Sequence, residues 1–193
     1  MTRSSVLKTG ALLLVLSTIL LVAGCTQPAG EATPTVTPTP TATTSPTVPA
    51  TPAPDTTALK AEVTLLAATF AEEIDGTALG TVLTDGPNST AFPTVLGQLV
   101  AFKATDPRIA YVYTLEQRNG TVRFIVDSDY SMPDGSAYLH EYPDAPVELE
   151  MPVTAPIGVG PYTDSWGTFV SGFAPVQTGL EDTTVLIGVD IRV

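Results

Sequence analysis

The chain has 193 residues, 44% of them hydrophobic, and sets 20 Asp and Glu against eight Lys and Arg for a net charge of −12. That acidity argues against a nucleic acid partner, which needs a basic face to neutralise phosphates. The single Cys rules out an intramolecular disulfide framework, so a folded domain must rest on its apolar core.

Arg3 and Lys8 form a short cationic stretch ahead of the apolar run Ala11 to Ala23, ALLLVLSTILLVA. That run is too short to span a hydrocarbon core of about 30 Å and reads as a secretion signal over residues 1–24. It ends Val22-Ala23-Gly24-Cys25, which resembles the lipobox of prokaryotic lipoproteins. The resemblance implies cleavage before Cys25 and lipidation of its thiol. Val22 stands where a lipobox usually has Leu.

From Thr26 to Thr57 the composition changes to 12 Thr and eight Pro in 32 residues, with two Val as the largest apolar side chains. Such a segment cannot bury enough surface to fold, so residues 25–57 read as a lipidated Cys followed by a disordered linker. Extended at about 3.1 Å per residue, it would carry a domain up to ~100 Å from the membrane. Its Thr density suits O-glycosylation. Residues 58–193 match one domain of common size, and its six basic side chains face 18 acidic ones. Solubility at a salty cell surface explains that charge as well as attraction of a cationic ligand does.

Within the domain, Leu59, Val63, Leu66, Phe70 and Ile74 fall on one helical face. Asp55, Thr56 or Thr57 is placed to cap that helix and Asp75-Gly76 to end it. A second helical pattern runs through Phe92, Val95, Leu96, Leu99 and Val100, closed by Asp106-Pro107. The period then becomes two: 108–118 and 121–129 flank Asn119-Gly120, which predicts a hairpin with a type I′ turn. That turn sets Arg118 opposite Thr121 and Glu116 opposite Arg123. It also predicts Tyr111, Tyr113, Leu115, Phe124 and Val126 on one face, with Val112, Thr114, Ile125 and Asp127 on the other. Residues 130–166 read as an irregular excursion with at most short strands. Two further strands, 168–176 and 183–193, make a second hairpin through Gly179. Two helices, a hairpin, a long excursion and a second hairpin predict an α+β domain.

Ile109 to Thr114 (IAYVYT), Phe124 to Asp127 (FIVD), Pro161 to Gly167 (PYTDSWG), Val170 to Val176 (VSGFAPV) and Leu186 to Ile191 (LIGVDI) together resemble the Cache family of extracytoplasmic sensor domains. The match covers nearly all of 58–193. It implies a PAS-like antiparallel sheet with a long N-terminal helix packed on one face, and a ligand pocket on the other face under the long excursion. In Cache domains that sense amines and amino acids, the Asp of a PY-x-D segment accepts from the ligand's ammonium group, and Asp164 holds that place. The Arg-x-Trp pair that grips a ligand carboxylate in the amino-acid-sensing branch is not found between Tyr111 and Asp127.

Asp164 beside Tyr162 and Trp166 is chemically suited to a cation, by charge-assisted hydrogen bonding and cation–π attraction. Tyr111, Tyr113, Asp127 and Tyr138 complete the candidate ligand-binding set. The plainer readings are an Asx turn or cap for Asp164, ordinary strand packing for Tyr111 and Tyr113, and structural hydrogen bonds at a sheet edge or terminus for Asp190. Asp127-Ser-Asp129 with Asp134-Gly135 has some features of a calcium loop but lacks its alternate ligands, so no metal or cofactor is expected. Asn88-Ser-Thr90 and Asn119-Gly-Thr121 are glycosylation sequons. One His, one Cys and no nucleophile elbow offer little for catalysis.

Two functions follow. One is a lipid-anchored sensor module at the outer face of the cytoplasmic membrane that captures a small molecule, a cation on the Asp164 reading, and either presents it to a membrane receptor or serves as a detached sensor. The chain stops at Val193, just as its last strand ends, so no signalling output domain is expected in it. The other is a structural or adhesive surface lipoprotein whose pocket is filled by side chains.

Overall fold

The computed structural model describes residues 55–193. The expected secretion signal, Cys25 and the Thr/Pro-rich stretch to residue 54 lie outside the described residues. Helix α1 is Thr57–Glu73, and the Asp55 carboxylate accepts the Thr57 N–H (3.0 Å) at its start. Val63 and Phe70 are buried, and Leu59 and Leu66 are half-buried, as the helical spacing predicts.

The expected stop at Asp75-Gly76 is also a start. Asp75 caps a helix that the sequence pattern does not predict, α2 (Gly76–Asp85), by accepting the Ala78 N–H at 2.9 Å. Leu79 and Val82 bury its inner face. The two Gly and three Thr in its ten residues mute the helical signal. Helix α3 (Phe92–Lys103) buries Phe92, Val95, Leu99 and Phe102. Val100, expected on that face, is 48% exposed, and Phe102 takes its place.

Strands β1 (Ile109–Arg118), β2 (Thr121–Asp127), β3 (Ile157–Asp164), β4 (Gly167–Pro175) and β5 (Thr184–Arg192) form one antiparallel sheet in the order β2-β1-β5-β4-β3. Asn119 (φ 53°) and Gly120 (φ 75°) make the expected hairpin turn. Arg118 pairs with Thr121, and Glu116 with Arg123, whose side chains meet at 3.2 Å.

Further along, the register slips: Leu115 pairs with Phe124 but Thr114 pairs with Val126, leaving Ile125 as an extra residue. Such a bulge reverses the alternation beyond it. Val126 joins Val112 and Ile125 under the helices instead of sharing the face of Tyr113. Asp127, expected opposite Tyr113, becomes its direct partner.

A second difference lies in PYTDSWG. It is not part of the excursion but a hairpin, with Tyr162 inside β3 and Asp164 paired with Gly167 across the turn.

The helices cover one face of the sheet, with α1 over β3, β4 and β5 and α3 over β1 and β2. Residues 128–156, which include one 3-10 turn at Val147–Leu149, contribute Tyr142, Leu149 and Val153 to the core of the other face. Three backbone hydrogen bonds tie this strap to the β2 edge, among them Tyr142 N–H to Val122 C=O at 2.9 Å. Gln117 holds its far end, donating to the Leu149 and Met151 carbonyls and accepting from the Val153 N–H (2.8, 3.1 and 3.0 Å). Among the described residues no helix is long and apolar enough to cross a membrane.

Candidate functional site

Beneath the strap lies a cavity built on the centre of the sheet. Its floor begins with Gly188 in β5, the cross-strand partner of Tyr113. A Cβ at Gly188 would stand 2.4 Å from the Tyr113 ring, so glycine is what lets that ring lie across β5. The Tyr113 hydroxyl thereby reaches Asp190, two residues on, and donates to its Oδ1 (2.9 Å). Asp190 is 3% exposed and sits on the middle strand, not at a sheet edge. Ser171 of β4 pairs with Asp190 across the strands and shares a 2.9 Å hydrogen bond with the Tyr162 hydroxyl.

The walls come from four places. β2 supplies Phe124 and Asp127, and the strap supplies Asp134, Ser136 and Tyr142. The β3–β4 turn supplies Asp164 and Trp166, and β1 supplies Tyr111 and Tyr113. Trp166 packs edge-on against Phe124 and Tyr142, with ring centres 5.7 and 5.8 Å apart. Asp127 accepts the Asp129 and Ser136 N–H groups (2.9 and 2.8 Å), which pins the first turn of the strap. The cavity volume is about 10 Å³, at the lower limit for one water molecule.

Four aspartates border this space, and no Lys or Arg does. The nearest cations stay at the rim with other partners. Lys103 pairs with Asp129 at 2.6 Å, and Arg192 donates to the Trp166 carbonyl (2.9 Å) and the Tyr111 hydroxyl (3.3 Å). Both lie over the Tyr111 ring, 5.3 and 5.9 Å from its centre. Burial pushes the Asp190 carboxyl up to about 7, with Asp164 and Asp127 adding to the rise, while the neighbouring Ser171 hydroxyl and the hydrogen bond from Tyr113 hold it down. Burial also raises Asp127. Tyr113, Tyr142 and Tyr162 are raised, first by burial, and stay neutral donors.

Of the residues predicted from sequence, Tyr111, Tyr113, Asp127, Asp164 and Trp166 border the cavity. Tyr162 stands behind it through Ser171 and lies 3.4 Å, hydroxyl to hydroxyl, from Tyr142. Tyr138 is elsewhere: its hydroxyl donates to the Val82 and Leu83 carbonyls near the end of α2 (both 3.2 Å). The sequence reading gives Asp190 only structural hydrogen bonds and does not place Ser171 or Tyr142 in the site. A lone Asp in the apolar run LIGVDI was the available signal for the first, since a charge inside a central strand needs a reason.

Asp164 has two jobs. Oδ1 accepts the Trp166 and Gly167 N–H groups (2.8 and 3.1 Å), an Asx turn, and Oδ2 accepts from the Tyr142 hydroxyl (2.5 Å). Asp164→Asn keeps the turn but loses the acceptor for Tyr142, and is expected to cost about 1 kcal/mol. Asp164→Ala loses both and is expected to cost about 2–3 kcal/mol, read as the shift in a urea unfolding midpoint. Equal costs for the two variants would mean that the turn contributes nothing.

Set against protein-family models, curated proteins and solved structures, the chain matches none of them. Among the described residues no group of three or more His, Cys, Asp or Glu side chains is arranged to hold a metal ion.

Proposed function

We propose that this is a lipid-anchored extracytoplasmic binding module of PAS-like, Cache-type fold that captures a small organic cation, such as a primary amine, beneath the strap. The observation that carries the reading is a cavity bordered by four aspartates and by aromatic rings, with no basic side chain among them. Carboxylates give an ammonium group charge-assisted hydrogen bonds, and the Trp166 and Phe124 rings offer cation–π attraction. A helix layer on one sheet face and a strapped cavity on the other is the arrangement expected of a PAS-like sensor. The resemblance at Cys25 supplies the anchor, at the outer face of the cytoplasmic membrane, with a membrane receptor as the protein partner. The module binds its ligand without transforming it.

The size of the cavity favours a second reading, a surface lipoprotein whose pocket is filled by its own side chains, since about 10 Å³ admits no amine without movement of the strap. Thermal unfolding of the full chain with alkylammonium salts, carboxylates and sugars separates the two. Stabilisation by ammonium compounds alone supports the sensor, and no shift with any of them supports the filled domain. The anchor is tested independently. Cys25→Ser is expected to move the protein from the membrane fraction to the soluble one or to leave it unprocessed, and unchanged membrane association with unchanged mobility would contradict lipidation.

A further inference from the structure

Building on the cation-binding reading of this cavity, we propose that protons compete with the bound cation for the carboxylate of Asp190, so that binding strengthens as pH rises through neutrality. The geometry is that of one buried acid facing other acids. From β1, Asp190 is faced by Tyr113, which donates to it, and by Tyr111, its pairing partner. From β3 and β4 it is faced by Asp164, Tyr162 and Ser171. From β2 and the strap it is faced by Asp127, Tyr142 and Asp134, which border the same space.

The two rim cations do not neutralise it. Lys103 of α3 is taken by Asp129, and Arg192 by the Trp166 carbonyl and the Tyr111 hydroxyl. In this cavity an ionised Asp190 has one hydroxyl donor, Tyr113, and no counter-charge, in a setting where unpaired charge is costly. A proton removes that cost, and so does an ammonium group. The two are alternatives at one carboxylate, so each monocation bound below the midpoint displaces one proton. Its affinity then falls by about fivefold over the first pH unit below that midpoint and approaches tenfold per unit further down. The upward displacement of Asp190 by burial puts the exchange near pH 7, within reach of an extracytoplasmic environment.

Trp166 is the only Trp in the chain and borders the cavity, so its fluorescence reports on this space directly. The full chain without ligand is titrated from pH 5 to 9, and binding of methylammonium chloride is measured at pH 6, 7 and 8. A one-proton fluorescence transition near pH 7 is expected, with methylammonium affinity at pH 6 about fivefold weaker than at pH 7 and about tenfold weaker than at pH 8. Asp190→Asn is expected to abolish the transition. Tyr113→Phe, which removes a donor to the charged form, is expected to move it to higher pH, and this variant serves if Asp190→Asn does not fold. Methylammonium binding that is independent of pH, with no Trp166 transition, overturns the competition but leaves the cation site standing. A Trp166 transition with no methylammonium binding at any pH overturns both.

Discussion

Asp190→Asn is expected to stabilise the protein at pH 8 and to flatten its dependence on pH. In the folded protein the Asp190 carboxyl is raised to about 7 from an ordinary value of 3.8. The folded state therefore holds its proton more tightly than the unfolded chain does. That contribution is fully present below about pH 4 and is lost as pH rises through 7. Above pH 7 the folded protein carries a buried charge, at a cost of up to about 4 kcal/mol at 1.36 kcal/mol per pH unit. Asn is close in shape and retains a carbonyl oxygen for the Tyr113 hydroxyl, so the cost disappears with the charge. The expected gain at pH 8 is a few kcal/mol, on the order of 10 °C in melting temperature. Asp127, also raised by burial, leaves a residual slope of the same sign. A melting temperature with the same pH slope in the variant and the parent would show that Asp190 ionises freely. The same substitution is expected to weaken a bound cation by about 10- to 100-fold, the scale of a charged hydrogen bond.

Gly172→Ala is expected to be the most damaging single methyl group on the helix-covered face. A Cβ there would stand 1.9 Å from the Val63 carbonyl oxygen and 3.1 Å from the Ala67 Cβ. The obstruction is backbone, so α1 must lift from β4 to admit it. Overpacking of this kind costs about 3 kcal/mol or more. Gly97→Ala in α3 is the control, because a Cβ there meets nothing within 4 Å and is expected to add about 0.5–1 kcal/mol of helix stability. Urea unfolding midpoints moving in opposite directions for the two variants would bear out the close approach, and equal shifts would contradict it.

The parts of the domain that were legible in the sequence are those governed by short-range rules. Asn119-Gly120 specifies a turn because both residues must take positive φ, and the Glu116–Arg123 pairing follows from it. The face of α1 could be read because its apolar residues recur at helical spacing. The bulge at Ile125 could not, since nothing in TVRFIVD marks where the alternation breaks, and that one residue moves Asp127 to the cavity face. Helix α2 escaped because its buried apolar side chains, Leu79 and Val82, are diluted by Gly and Thr. Strand β3 was hidden by its two Gly and its Pro, which read as loop although they sit in a strand that pairs only with β4. The site itself was half legible. Asp164 and Trp166 were found through their local segment, whereas Asp190, Ser171 and Tyr142 meet them only because β5 lies in the middle of the sheet and the strap folds back over it. Sequence spacing carries no record of that.

The most direct test is a structure of the protein at pH 8 in the presence of methylammonium. The account predicts an ammonium group within hydrogen-bonding distance of both Asp190 and Asp164, with the Tyr142 hydroxyl turned away from Asp164 and the strap displaced to make room. An unaltered cavity, with Tyr142 still bound to Asp164 and no ammonium group beneath the strap, would contradict it.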